Sequence, residues 1–75
     1  MMDEALEMYV IYQHPKDFPN YYVARLWKVN ADGPVATQKY RVAATLDEVR
    51  GFVPFGKVRI ERDPNDEPQI VEMWI

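Results

Sequence analysis

The sequence predicts a small α+β protein, an antiparallel sheet with the element order β-β-β-α-β-β and one short helix on one face. Three observations lead to this fold class. Several short stretches are rich in β-branched and aromatic residues, as strands are. One stretch carries the start signal and the apolar spacing of a helix, and clusters of turn-forming residues separate the elements. A chain of 75 residues is expected to form a single domain, residues 1–75, with residues 1–7 frayed.

The local patterns give each element its place. The first strand is almost continuously apolar, which predicts that both of its faces are covered, whereas the fourth alternates charged and apolar residues like a half-exposed strand. In the helix, Thr45 and Glu48 have the spacing of a capping box, and Leu46, Val49 and Val53 form one apolar stripe. Strands are predicted at residues 8–13, 21–29, 35–43, 57–61 and 69–75, and the helix at residues 45–53.

The hairpin between the second and third strands, with its turn at residues 30–34, determines which side chains share a face. If Val29 lies opposite Val35, Tyr40 points to the core, while three cations and an indole share the other face. The prolines in the loop before this hairpin favour an extended backbone at His14. The candidate binding residues are Arg25, Trp27, Lys39 and Arg41, together with His14.

Composition excludes several kinds of site. The chain has no cysteine and one histidine, so disulfides, thiolate metal sites and multi-histidine sites are excluded, and no metal or cofactor is expected. Serine is also absent, and His14 with Asp17 lacks a partner nucleophile, so we expect no enzymatic activity. The acidic residues at 63–67 lack the glycine and the distal glutamate of a calcium loop and are interpreted as a solvated turn.

The charges are unevenly distributed along the chain. The net charge is −3, yet all nine basic residues lie between Lys16 and Arg62, where five acids leave a charge of +4. The favoured explanation of this distribution is that the acidic end segments pair with the basic middle segment in the fold. The alternative is that the middle segment forms a basic surface for a partner. The acidic start and the lack of an apolar run of about 18 residues predict a cytoplasmic protein without a membrane partner.

Small size and aromatic content point to a partner. A chain of this length buries only about 60% of its unfolded surface, and one short helix leaves the second sheet face partly uncovered. We therefore expect a protein-interaction module that forms a homodimer. Trp27 and Trp74 are expected to contribute to this association. The alternative is a single-stranded nucleic-acid-binding module that uses the basic and aromatic sheet face.

Two resemblances accompany this interpretation. The pattern Tyr9-x-Ile11-Tyr12-x-His14-Pro15, the segment Tyr22-Val23-Ala24-Arg25-x-Trp27 and the ending Ile70-Val71-Glu72-x-Trp74 resemble a family of short bacterial and phage proteins of uncharacterised function. That resemblance implies a compact stand-alone domain without assigned chemistry. Over residues 21–48, the chain also looks like the partial ribonuclease-H-like half of HicB-type antitoxins, which implies a sheet followed by a helix.

Overall fold

A computed structural model describes residues 6–75 as one antiparallel sheet of five strands with a short helix. Residues 1–5 lie outside this description, and with them most of the segment predicted to fray. Leu6 and Glu7 of that segment belong to the first strand, which starts two residues earlier than predicted. The elements are β1 (Leu6–Gln13), β2 (Tyr22–Asn30), β3 (Gly33–Ala43), α1 (Leu46–Arg50), β4 (Arg59–Glu61) and β5 (Ile70–Trp74).

The predicted element order is confirmed, and the helix is shorter than predicted. The Thr45 hydroxyl accepts the backbone N–H of Glu48 and caps the start of α1, as the sequence pattern indicates. After Arg50 the backbone tightens, because the N–H of Phe52 donates to Val49 and that of Val53 to Arg50. In the described part of the chain, no helix is long and apolar enough to cross a membrane.

The strand order in the sheet is β3-β2-β1-β5-β4, with β1 at the centre. Its neighbouring residues Val10 and Ile11 point to opposite faces of the sheet, and their exposed fractions are 3% and 0%. The continuous apolar run of β1 therefore predicted correctly a strand covered on both sides.

The core lies between the sheet and α1. Ile11, Ala24 and Val49 form its buried centre. Leu46 and Val53, the other two residues of the predicted helical stripe, pack against this centre. The further apolar residues around it are Tyr22, Ala43, Val71 and Trp74.

The predicted register between β2 and β3 is wrong by one residue. Val29 lies opposite Pro34 instead of Val35, and Arg25 lies opposite Tyr40. A bulge separates these two paired segments, because the single residue Leu26 stands opposite residues 37–39 of β3. A shift of one residue moves each side chain of β3 to the other face, so Tyr40 shares a face with Arg25 and does not point to the core.

Candidate functional site

The sheet face opposite α1, here called the outer face, is broad and almost entirely apolar. Strand alternation and the observed registers identify its members. They are Leu6, Met8, Val10, Tyr12, Val23, Arg25, Trp27, Val29, Pro34, Ala36, Tyr40, Val42, Ile60, Ile70 and Met73, and the hydrogen-bonded pair Val58 and Ile75 extends the row. Among these residues Arg25 carries the single charge, and none is acidic.

Cover over the outer face is incomplete. Val10 and Val23 are buried by their neighbours, but Leu6 is 50%, Val58 64% and Ile60 38% exposed. Phe18, from the loop between β1 and β2, contributes local cover where its ring packs 5.7 Å from that of Tyr40. A contiguous apolar face of this kind is typical of an interaction surface.

The two candidate residues of β2, Arg25 and Trp27, lie side by side on the outer face and have their polar atoms paired within the chain. The Arg25 guanidinium stacks on the Tyr40 ring at 4.8 Å and donates to the carbonyl oxygen of Thr37 at 2.7 Å. The indole N–H of Trp27 donates to the Tyr12 hydroxyl at 3.2 Å, and burial raises the pKa of that hydroxyl. Both side chains are half-buried and fixed in place.

The other three candidate residues, Arg41, Lys39 and His14, do not lie beside Arg25 and Trp27 on the outer face. Arg41 lies opposite Ala24, whose side chain is in the helix-side core, so Arg41 belongs to the helix side of the sheet. Lys39 lies in the β3 bulge and lines a groove on that same side. The predicted basic and aromatic face is therefore divided between the two sides of the sheet, because the observed pairing of β3 lies one residue away from the predicted register. A role in binding for each of these residues stays a prediction.

His14 directly follows β1, in the loop between β1 and β2. Its φ of 49° is in the left-handed region, so the extended backbone expected before Pro15 is wrong at this position. The imidazole packs 5.4 Å from the ring of Tyr22, and the His14 N–H donates to the carbonyl of Tyr21. These contacts give His14 a role in closing the loop between β1 and β2.

Trp74, predicted to contact a partner, lies on the helix side of the sheet. It packs against the core centre, and its indole N–H donates to the Glu72 carboxylate at 2.8 Å. These contacts give Trp74 a role in the core, and its contribution to self-association stays a prediction.

A buried carboxylate, which the sequence patterns did not reveal, links α1 to β4 and β5. Glu72 is fully buried and accepts two hydrogen bonds from Arg50 and one from Arg59, each of 2.8 Å. The hydrogen bond from Arg50 is the main reason why the pKa of Glu72 is lowered to about 2, against a smaller opposing effect of burial. A single acid inside the apolar run at 70–75 was the available signal, because a buried charge requires partners.

Glu72 also explains part of the charge distribution. An acid of the last segment pairs with two arginines of the basic middle segment, as the favoured explanation predicted. A carboxylate with four donors has no free lone pair directed to solvent, and its low pKa keeps it ionised. This arrangement suits structural cohesion and gives no site for proton transfer.

Comparison of the chain with protein-family models, with curated proteins and with solved structures found no significant match. The resemblances suggested by the sequence therefore stay predictions, and no role is transferred from another protein. Within residues 6–75, no group of three or more His, Cys, Asp or Glu side chains is arranged to hold a metal ion.

Proposed function

We propose that the protein is a non-catalytic interaction module of the cytoplasm that forms a homodimer by packing two outer faces together. The apolar outer face, with Arg25 as its one charged side chain, is the observation that supports this proposal. Sheets commonly pack face to face at about 10 Å, with apolar side chains interdigitated between them. A second copy supplies a face of the same chemistry.

The size of the outer face suits a dimer. Neighbouring strands lie about 4.8 Å apart and rise about 3.3 Å per residue, so the five strands together present roughly 600 Å² of projected face. A stable interface of standard size buries about 800 Å² of accessible surface on each partner. Because side chains project from the sheet, the accessible surface area of the outer face is larger than its projected area. A twofold axis between the sheets that crosses the central β1 would bring the Met8 side chains of both copies together.

The charges also favour a second copy over a charged partner. Stacking on Tyr40 and the hydrogen bond to Thr37 already engage the Arg25 guanidinium, so dimerisation leaves no bare charge at the interface. An acidic protein or a nucleic acid would need several free cations, and the outer face has one, already engaged. The nucleic-acid alternative is therefore not supported on this face.

Charge substitutions with matched exposure test the dimer. Ile60 on the outer face and Phe52 on the helix side are 38% and 42% exposed, so an aspartate at either position is tolerated similarly by the fold. In sedimentation velocity over a concentration series, wild type and Phe52→Asp should dimerise, whereas Ile60→Asp should shift to monomer. Trp27→Ala should weaken dimerisation as well, because it removes a large apolar contact near the centre of the face.

Two results would contradict the proposal. One is a wild-type protein that stays monomeric at high micromolar concentration. The other is equal dissociation of the Ile60→Asp and Phe52→Asp dimers, with circular dichroism showing that both variants are folded. This result would mean that the outer face is not the dimer interface.

A further inference from the structure

The helix side of the sheet has a groove that the dimer does not use. Its volume is about 430 Å³, within the range of about 300–1,000 Å³ that is usual for small-molecule sites. We call it the basic groove. It is lined by Tyr9 of β1, Ala24 of β2, Gln38, Lys39, Tyr40 and Arg41 of β3, and Phe52 beyond α1.

The bulge in β3 shapes one wall of the basic groove. The Thr37 hydroxyl donates to the carbonyl oxygen of Leu26 at 2.7 Å and accepts the N–H of Lys39 at 3.1 Å, so the bulged backbone is held by hydrogen bonds. This wall carries Gln38 and Lys39. Ala24, which belongs to the buried core centre, also lines the groove.

The lining of the basic groove combines cations with aromatic rings. Lys39 and Arg41 are exposed, and within residues 6–75 neither belongs to any ion pair. No acidic residue lines the groove. At its Tyr9 end, the ammonium group of Lys57 lies 6.0 Å from the ring centroid of Tyr9 and adds positive charge. In a protein with a net charge of −3, this groove is a local concentration of positive charge.

We propose that the basic groove binds one nucleotide unit, with the phosphate on Lys39 and Arg41 and the base against Phe52 and Tyr9. Cations hold phosphate through charge-assisted hydrogen bonds, and bases stack on exposed aromatic rings without requiring a particular sequence. The side-chain amide of Gln38 offers both a donor and an acceptor to a base edge. The unit is either a free mononucleotide or one residue of a single strand, since both present the same chemistry.

The basic groove and the outer face lie on opposite sides of the sheet, so their roles can be tested separately. Lys39→Gln and Arg41→Gln should abolish most nucleotide binding and leave dimerisation unchanged. Ile60→Asp should have the reverse effect. Failure of one proposal therefore does not imply failure of the other.

The test uses calorimetric titration with adenosine monophosphate and inorganic phosphate, and fluorescence anisotropy with labelled single-stranded DNA and RNA at two salt concentrations. We expect saturable binding that falls at least about tenfold, or 1.4 kcal/mol, in Lys39→Gln and Arg41→Gln. Phe52→Ala should weaken nucleotide binding through lost stacking. Lys16→Gln, which removes a charge from an exposed loop position, is the matched control and should bind like wild type.

Binding of the monophosphate identifies a free nucleotide, whereas binding of the oligonucleotides alone identifies a strand, with a salt slope of about 0.7 per phosphate contact. Either result supports the basic groove. The proposal is overturned if no nucleotide binds at low salt. It is also overturned if inorganic phosphate binds as tightly as adenosine monophosphate, or if Lys16→Gln loses as much affinity as Lys39→Gln.

Discussion

Replacing Glu72 with glutamine would remove the buried negative charge through which β5 binds Arg50 of α1 and Arg59 of β4. The carboxylate accepts four hydrogen bonds, from Arg50, Arg59 and Trp74. Glutamine has a single acceptor oxygen, and its amide hydrogens would face guanidinium or indole donors. At least one buried donor then loses its partner, and both arginines lose their counter-charge.

The size of the effect follows from the pKa of Glu72. Its decrease from 4.5 to about 2 corresponds to about 3 kcal/mol of stabilisation of the ionised form in the folded state. Arg50 and Arg59 are 34% and 42% exposed and can turn to water when the carboxylate is lost, which reduces the cost. We expect Glu72→Gln to lower the free energy of unfolding by about 2 kcal/mol, a large part of the 5–15 kcal/mol that is usual for a protein domain.

Urea denaturation at neutral pH and fixed protein concentration measures this change, and thermal unfolding should show a melting temperature lower by roughly 8–16 °C. Glu61→Gln is the matched control. Glu61 lies opposite Glu72 on β4, but its side chain is 84% exposed, so its loss should change stability by less than about 0.5 kcal/mol. Equal losses in the two variants would refute the structural role of the buried carboxylate.

The pH dependence provides a second measure. Because the folded-state pKa of Glu72 lies below its ordinary value, the unfolded chain binds more protons than the folded one between pH 4.5 and about 2. The contribution of Glu72 is therefore complete above pH 5 and is lost as the pH falls through this window. In Glu72→Gln this part of the acid destabilisation should be missing, and an identical pH dependence in both proteins would contradict the assignment.

Three further substitutions test local features of the fold. Thr45→Ala should destabilise by about 1 kcal/mol in urea denaturation through loss of the α1 cap, whereas Thr45→Ser should retain it. Thr37→Val should cost about 1–2 kcal/mol and speed hydrogen exchange of the Lys39 amide, because the β3 bulge loses two hydrogen bonds; unchanged exchange would contradict this. His14→Gly should match or exceed wild-type thermal stability, since φ is 49°, while His14→Val should cost about 1–2 kcal/mol; equal melting temperatures for both variants would argue against strain at His14.

Much of the fold follows from local chemistry in the sequence. The apolar run of β1 predicted a strand covered on both faces, and Thr45 with the stripe Leu46, Val49 and Val53 predicted where the helix begins and which face it buries. The turn after β2 was also predicted, and β3 begins at Gly33 within it. Each of these features depends on residues close to one another in the chain.

The candidate site was predicted less well because it depends on pairing between strands. Residues 37–39 are ordinary strand residues, so no local pattern marks the bulge that they form opposite Leu26. The faces of Tyr40 and Arg41 differ from the prediction because the pairing on each side of this bulge lies one residue away from the predicted register. Glu72 was missed for a related reason, because its partners Arg50 and Arg59 are 22 and 13 residues away in the chain.

The bulge in β3 also affects how sheets of this protein can grow. β3 is the longest strand and lies at an edge, where a row of free backbone groups would recruit a strand from another molecule. The bulge interrupts that row in the middle, and Pro34 removes a donor near its start. At the opposite edge, β4 has only three residues. Growth into a continuous ribbon by strand addition is therefore disfavoured at both edges of the sheet.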